Sequence, residues 1–411
     1  WSDAVRRLVR NKAAVAGAGV VLFMAITALL LEPISRYVTR FTYDEMHLAV
    51  EPKPMGAQSV PQVHARLDAS VPFATIDTDG NGALDAAELS EALQRQQFVR
   101  YDADASGAID ARELMALPVN LGPNAADRLD ADGNGTFTLD ELRPYLDVWP
   151  ESEARFFIRQ HAAGPDDGAL SRAEFPGLPR PETHWLGTDP LGRDMLTRLV
   201  MGARVSLMVG FIATLVSFFI GILWGATAGF LGGRIDNWMM RFVDVLYGLP
   251  FLFLVILLMV IFQDIPAQQK LYLLFLALGA VGWLTVSRIV RGQVISLKEN
   301  EYVEAARAIG VSKVTIIVRH LIPNALGPII VYATLTVPAV MLAEAFLSFL
   351  GLGVQAPYAS WGSLAADGAD ALREYPWLII WPGLALAVTL LALNFLGDGM
   401  RDALDPQMRT D

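Results

Sequence analysis

Six stretches of the chain stay apolar for long enough to cross a bilayer, whose hydrocarbon core takes about 20 residues of helix. They run from about Ala13 to Leu31, Val205 to Leu231, Met239 to Phe262, Leu271 to Val286, Pro328 to Leu350 and Trp377 to Leu396. The fourth is the shortest. Arg6, Arg7, Arg10 and Lys12 precede the first stretch, and no small-x-small cleavage site follows it before Glu32 and Pro33. It therefore reads as a retained span rather than a signal peptide. The chain opens on Trp1 rather than Met, so residues are expected to precede it. Between Glu32 and about Arg204 the apolar pattern breaks up into short runs among acids and glycines.

Lys and Arg gather in cytoplasmic loops of membrane proteins. Arg234 and Arg241 lie between the second and third stretches. Arg288, Arg291, Lys298, Arg307, Lys313 and Arg319 lie between the fourth and fifth, and Arg401 and Arg409 follow the sixth. With six spans, all of these fall on the N-terminal side. Both termini are expected in the cytoplasm, and residues 32–204 in a periplasm or its equivalent.

Composition sharpens this picture. Of 411 residues, 53% are hydrophobic and 18% charged, against about 25% charged in soluble proteins. Cys is absent, which excludes disulfides, thiol catalysis, iron–sulfur clusters and Cys-ligated zinc. The five His show no metal-site spacing. The net charge of −11 is local: residues 65–175 hold 21 acids and nine bases, and the remainder 22 acids and 23 bases. Such a segment suits cationic partners. No basic stripe exists, so nucleic acid is not an expected partner.

Three twelve-residue loops in the acidic segment match the EF-hand pattern D-x-[DN]-x-[DNS]-G-x5-E. The first carries Asp77, Asp79, Asn81, Ala83, Asp85 and Glu88 at positions 1, 3, 5, 7, 9 and 12. The second carries Asp102, Asp104, Ser106, Ala108, Asp110 and Glu113, and the third Asp130, Asp132, Asn134, Thr136, Thr138 and Glu141. Calcium is a hard cation that takes about seven oxygens. Positions 1, 3 and 5 offer side-chain oxygens, and position 7 a backbone carbonyl. Position 9 acts through water, and the Glu at 12 is bidentate. Gly82, Gly107 and Gly135 at position 6 allow the sharp turn. The apolar residue at position 8 (Leu84, Ile109, Phe137) can pair with a neighbouring loop. Up to three calcium ions are expected. A fourth loop ending at Glu174 has Gly168 at position 6 and Asp167 at 5, but Ala163 and Pro165 at 1 and 3. It is expected to be structural. Only 13 residues separate Glu88 from Asp102, enough for one shared helix or two short ones, which puts regular pairing in question. Extracellular sites of this kind bind with a Kd of about 10⁻⁴–10⁻³ M, so calcium has a structural or a sensing role here.

After the fourth stretch come Glu301, Glu304, Ala305, Ala306 and Gly310, then nine residues, then His320, Leu321, Ile322 and Pro323. This resembles the E-A-A-x3-G signature of ABC-importer permeases, with His320 and Ile322 departing mildly from it. His184 to Asp194 (HWLGTDPLGRD), Glu344 to Gly353 followed by Ser360-Trp361-Gly362, and Asn394 to Pro406 are similar to the oligopeptide, dipeptide and nickel permeases of the "C" type. The resemblance covers residues 184–411 strongly and 1–40 weakly, and the insert departs from it. It implies a permease for peptides or similar small solutes in the bacterial inner membrane. It also implies a second permease subunit, two ATPase subunits and an extracytoplasmic substrate-binding protein. In the family the E-A-A segment is a coupling helix that docks on the ATPase. The chain has no phosphate-binding loop, so ATP acts only through the partners and the chain is not itself an enzyme.

The expected fold is all-α: a polytopic membrane protein of six helices with an inserted extracytoplasmic EF-hand domain. Its parts are a cytoplasmic segment (1–12), the first span (13–31), a linker (32–64), the calcium-binding domain (65–176), a second linker (177–203) and a five-helix core (204–411). The coupling loop is 288–323. Glu344, an ionisable group at membrane depth, lines the translocation path or bonds a neighbouring helix. Asp244 is expected to pair with Arg241 or a helix end. The rival reading is a calcium-gated channel or calcium-sensing receptor, which accounts for the loops but not for the coupling segment.

Overall fold

The computed structural model describes residues 2–46, 52–116, 129–143, 151–162, 164 and 168–404. The chain divides into two compact units: Trp1–Leu30, Leu199–Leu372 and Leu378–Asp411 form one, and Leu31–Arg198 with Arg373–Trp377 the other. Glu51 in the first linker, Ala163, Pro165 and Asp167 in the fourth loop, and Asp405, Pro406 and Arg409 at the C-terminus lie outside the described residues.

The first unit is helical. α1 (Ser2–Arg10) leads into α2 (Lys12–Leu29), whose N-terminus is capped by the Asn11 side chain. Five helices here are long and apolar enough to span a bilayer: α2, α8 (Met195–Leu231), α11 (Ala267–Leu297), α13 (Ile322–Phe349) and α15 (Trp377–Leu404). α13 is continued N-terminally by a π-helical turn over Ile316–Leu321 and a short turn over Lys313–Thr315.

The expected third span is not one straight helix. It is split into α9 (Gly233–Tyr247) and α10 (Phe251–Ile261), bent by 76°. Gly248, Leu249 and Pro250 lie at the break. Pro has no N–H to continue the ladder and pushes the residue before it out of the helical region. Counted as one broken span, the pair makes six. The fourth span is longer than its apolar stretch. At 1.5 Å per residue, 31 residues reach about 46 Å, well past a hydrocarbon core of about 30 Å.

Glycines allow a close crossing where α8 meets α11. A Cβ on Gly221 would stand 2.6 Å from Val286 Cβ, and one on Gly279 of α11 2.7 Å from Val216 Cβ. Gly221, Gly225 and Gly229 repeat every four residues along one stripe of α8, the small-xxx-small pattern that lets membrane helices approach. Two ion pairs join α9 to α11. Arg291 forks onto Asp236 at 2.6 Å through both nitrogens, and Arg288 reaches Asp244 at 2.8 Å while stacking over the Tyr247 ring. The expected partner Arg241 is thus replaced. Arg288 sits on the neighbouring helix with the reach and ring platform that a residue three positions back on the same helix lacks.

The second unit holds the acidic segment and is not purely helical. Three two-residue ladders, all antiparallel, organise it: β1 (Gln58–Ser59) with β6 (Glu182–Thr183), β2 (Leu67–Asp68) with β5 (Leu178–Pro179), and β3 (Ala83–Leu84) with β4 (Leu170–Ser171). The first two close the segment where it begins and ends. Arg66 with Glu182, and Asp68 with Arg180 (2.8 Å), reinforce them across the strands. Among the described residues the helices are α3 (Phe73–Ile76), α4 (Ala86–Tyr101), α5 (Ala111–Ala116), α6 (Leu139–Leu142) and α7 (Glu151–His161). Two apolar cores result. One gathers Leu84, Leu89, Leu93, Phe157, Ile158, Leu170 and Leu178. The other gathers Phe98, Ile109, Leu114, Leu129, Phe137 and Leu142.

Candidate functional site

The three loops repeat one geometry. Each position-1 aspartate accepts backbone N–H bonds from positions 5 and 6: Asp77 from Asn81 and Gly82, Asp102 from Ser106 and Gly107, Asp130 from Asn134 and Gly135, all at 2.8–3.1 Å. The chain turns back at position 6 with φ of +82°, +83° and +78°, the left-handed region that glycine enters without a Cβ penalty. Each position-12 glutamate folds back over its loop. Glu88 accepts from the Thr78 and Asp85 amides, Glu113 from Ala103 and Asp110, and Glu141 from Ala131 and Thr138. The position-9 residues Asp85 and Asp110 cap the helices that leave their loops.

In each loop the carboxylates of positions 1, 3 and 12 bring one oxygen apiece to within 4.8 Å of the others. Two ligands 2.3–2.6 Å from one calcium ion stand at most about 5.2 Å apart, so each trio fits a single ion. With Asn81, Ser106 and Asn134 at position 5 the described donors are all oxygens, the set a hard cation selects. The loops also favour the anionic state of their acids. Hydrogen bonds from the Ser106 side chain, the Gly135 amide and the Thr138 amide hold Asp104, Asp130 and Glu141 below the ordinary carboxylate range.

The position-8 residues pair. Ile109 and Phe137 exchange two N–H···O bonds of 2.8 Å, joining the second loop to the third. Leu84 pairs with Leu170, position 8 of the fourth loop. Glu174 there accepts from the Ser171 amide and hydroxyl.

In the first unit, the E-A-A segment forms α12 (Glu301–Ala308). Gly310 ends it at φ +79°. The Val311 amide bonds the Ala306 carbonyl and the Gly310 amide the Arg307 carbonyl, both at 3.0 Å, which is the Schellman arrangement. Val303 and Ala306 face inward, in a core with Phe230, Val290, Val294, Ile316 and Leu321 from α8, α11 and the turn before α13. Ala306 is only 6% exposed. The small side chain seats the helix on its own bundle. Glu301, Glu304, Ala305 and Gly310 are exposed. Arg307 is drawn over the Phe230 ring at 5.0 Å. Around them Ile309 is 80% exposed and Val314 70%.

Glu344 is fully buried at the C-terminal end of α13. It accepts from Ser348 at 2.6 Å and from Ser206 of α8 at 3.4 Å. Ser206 in turn accepts from the amide of Trp361, the first residue of α14 (Trp361–Ala369). Ser360, the N-cap of α14, donates to Ser348.

In the second unit, the LGTD–GRD motif is a buried polar knot. Asp189 binds Arg193 Nε at 2.7 Å, Arg198 and the Leu191 and Arg193 amides. His184 contacts Asp194 at 2.9 Å and stacks on Phe41. Ser348 and Ser360 fall in motifs visible in the sequence, but they were not picked out as a network around Glu344, nor was the glycine stripe of α8. The four-residue spacing of Gly221, Gly225 and Gly229 carried the second signal in plain view.

Comparison with known proteins agrees with these features. The family described as "Binding-protein-dependent transport system inner membrane component" matches residues 221–410, and the N-terminal TM domain of oligopeptide transport permease C matches 1–52. EF hand matches 72–94 and 93–118, which takes in the first two loops. The chain is 50% identical over 226 residues to the oligopeptide transport system permease protein OppC of Haemophilus influenzae, covering 55% of this chain and 71% of that one. It is 51% identical over 233 residues to the dipeptide transport system permease protein DppC of Bacillus subtilis (56% and 71%), and 51% identical over 226 residues to OppC of Escherichia coli (55% and 73%). A solved chain of the MetNI methionine ABC transporter shares 21% identity at a TM-score of 0.41, covering 51% of this chain and 98% of that one; nothing rests on that likeness. With the E-A-A helix, the spans and these relatives in agreement, the chain belongs to the OppC-type permeases of ABC importers.

Proposed function

We propose that the chain is the C-type transmembrane subunit of an ATP-driven importer of dipeptides, oligopeptides or similar small solutes. It works in the bacterial inner membrane with a second permease, two ATPase subunits and an extracytoplasmic substrate-binding protein. Its termini are cytoplasmic and its acidic insert periplasmic, a reading supported by the distribution of Lys and Arg. The observation that carries the proposal is the dual character of α12. Its inner face is rooted in the bundle through Val303 and Ala306, while Glu301, Glu304, Ala305 and the apolar Ile309 and Val314 are left exposed. A helix built this way passes a push from an ATPase to α8, α11 and α13 through packed side chains. When ATP draws the two ATPase subunits together, the coupling helices of the two permeases follow, and the pathway between them changes its open side.

The three acidic loops hold calcium in this reading, through Asp77, Asp79, Asn81 and Glu88, through Asp102, Asp104, Ser106 and Glu113, and through Asp130, Asp132, Asn134 and Glu141. The ion supplies charge neutralisation among carboxylates that otherwise repel. Affinity purification of the tagged chain in mild detergent, with calcium and with chelator, tests the assignment. Two ATPases and a second permease are expected in the eluate. Their absence from both preparations would overturn the importer reading in favour of a calcium-gated channel or receptor.

A further inference from the structure

Chain order alone would pair the first loop with the second and the third with the fourth. The structure pairs them otherwise. α4 is a single helix of 16 residues, about 24 Å long, with Glu88 in its first turn and Asp102 just past its end. The first and second loops therefore sit at opposite ends of one rod. They cannot share a ladder, whose strands lie about 4.8 Å apart. The second loop instead bonds the third through Ile109 and Phe137, and the first bonds the fourth through Leu84 and Leu170. Each pair has its own apolar core.

We infer that calcium is taken up as two plus one: a coupled pair in the second and third loops, and a solitary site in the first. The inference rests on the reading of the loops as calcium sites, which the EF-hand matches over residues 72–94 and 93–118 support for the first two loops. The coupling runs through the ladder. Ile109 lies between the ligand positions Ala108 and Asp110, and Phe137 between Thr136 and Thr138. The two mutual 2.8 Å bonds mean that fixing positions 7 and 9 of one loop fixes the strand that carries them in the other. Ordering is then shared, and the second ion meets less conformational cost than the first. The first loop has no such counterpart. Its partner has Ala163 and Pro165 where ligands belong. The fourth loop contributes a strand and the buried Leu170 and is otherwise metal-free.

Calorimetric titration of the full-length chain in detergent micelles with calcium alone tests this, using the wild type and the variants Glu88→Gln, Glu113→Gln and Glu141→Gln. The wild type should take up three ions. Glu113→Gln should remove its own site and weaken the third-loop site at least about five-fold, the lower end of usual coupling, while the first-loop site keeps its affinity. Glu141→Gln should do the same to the second loop. Glu88→Gln should remove one ion and leave the other two as they were. Two remaining sites at wild-type affinity in Glu113→Gln would overturn the coupling. So would weakening of the second and third loops in Glu88→Gln. A wild type that takes up no calcium would instead overturn the underlying reading of the loops. Calcium-dependent hydrogen exchange provides a second readout: Glu113→Gln should lose protection at Phe137 but not at Leu170, and equal loss at both would refute the partition.

Discussion

Replacing Glu344 with alanine should loosen the end of the bundle where α8, α13 and α14 meet. The carboxyl is fully buried and is the acceptor for the Ser348 and Ser206 hydroxyls at 2.6 and 3.4 Å. Alanine leaves both hydroxyls without that acceptor, at about 1–3 kcal/mol for each buried group left unpaired. It also opens a cavity the size of a carboxyethyl fragment less one carbon, adding about 1 kcal/mol. The 3.4 Å bond is long and counts at the low end. If Ser348 turns back to the carbonyl four residues earlier, part of the loss is recovered. The total comes to about 3–5 kcal/mol. For a unit of this size that corresponds to a fall in Tm of roughly 6–20 °C, measured by intrinsic fluorescence on the detergent-purified chain. Glutamine keeps the shape and an acceptor oxygen, and its partners are hydroxyls, so Glu344→Gln should cost under about 1 kcal/mol. The comparison decides the matter. Glutamine as damaging as alanine would mean that the serine network does not need merely an acceptor of this shape. Alanine costing less than about 1 kcal/mol would mean that the network is not what holds α14.

Gly221→Val should force Val286 and the α8–α11 crossing apart, because even a Cβ would stand 2.6 Å from Val286 Cβ; the expected cost is about 1–3 kcal/mol, read as a lowered Tm, and an unchanged Tm refutes the close approach. Ala105, at position 4 of the second loop, holds φ +56° where the other loops have Gly80 and Gly133; Ala105→Gly should relieve roughly 1 kcal/mol of strain and tighten calcium binding in that loop, and weaker binding would refute this. Gly310→Val places a β-branched residue at φ +79° and should disturb the Schellman turn, lowering transport-coupled ATP hydrolysis while the chain still assembles; wild-type uptake would sink the coupling role. Asp68 is held below the ordinary carboxylate range by the Ser70 hydroxyl and amide and then by Arg180. Its contribution is therefore present above the unfolded value of about 4 and lost as pH falls through the folded one; protection of the Leu178 ladder should drop on acidification, and Asp68→Asn should flatten that dependence.

What the sequence made legible was whatever repeats or has a fixed period. The three loops could be laid out position by position because a twelve-residue pattern with glycine at position 6 fixes spacing more tightly than any packing preference does. Long apolar runs likewise revealed the spans, since a bilayer sets their length. The misplaced details are those that depend on which neighbour arrives. The break at Gly248–Pro250 was written in the residues, yet hydropathy averages over it. Asp244 found Arg288 rather than Arg241 because the partner came from another helix, 44 positions on. The pairing of the loops shows the same limit most clearly. The 13 residues between Glu88 and Asp102 allowed one helix or two, and no local preference chose between them. Once α4 is continuous, its length alone forbids the first two loops from meeting. Each must then look further along the chain for a strand, and the fourth loop becomes necessary as the first loop's mate. That explains why a loop with Ala163 and Pro165 at positions 1 and 3 still carries an apolar residue at position 8: Leu170 has Leu84 as its strand partner.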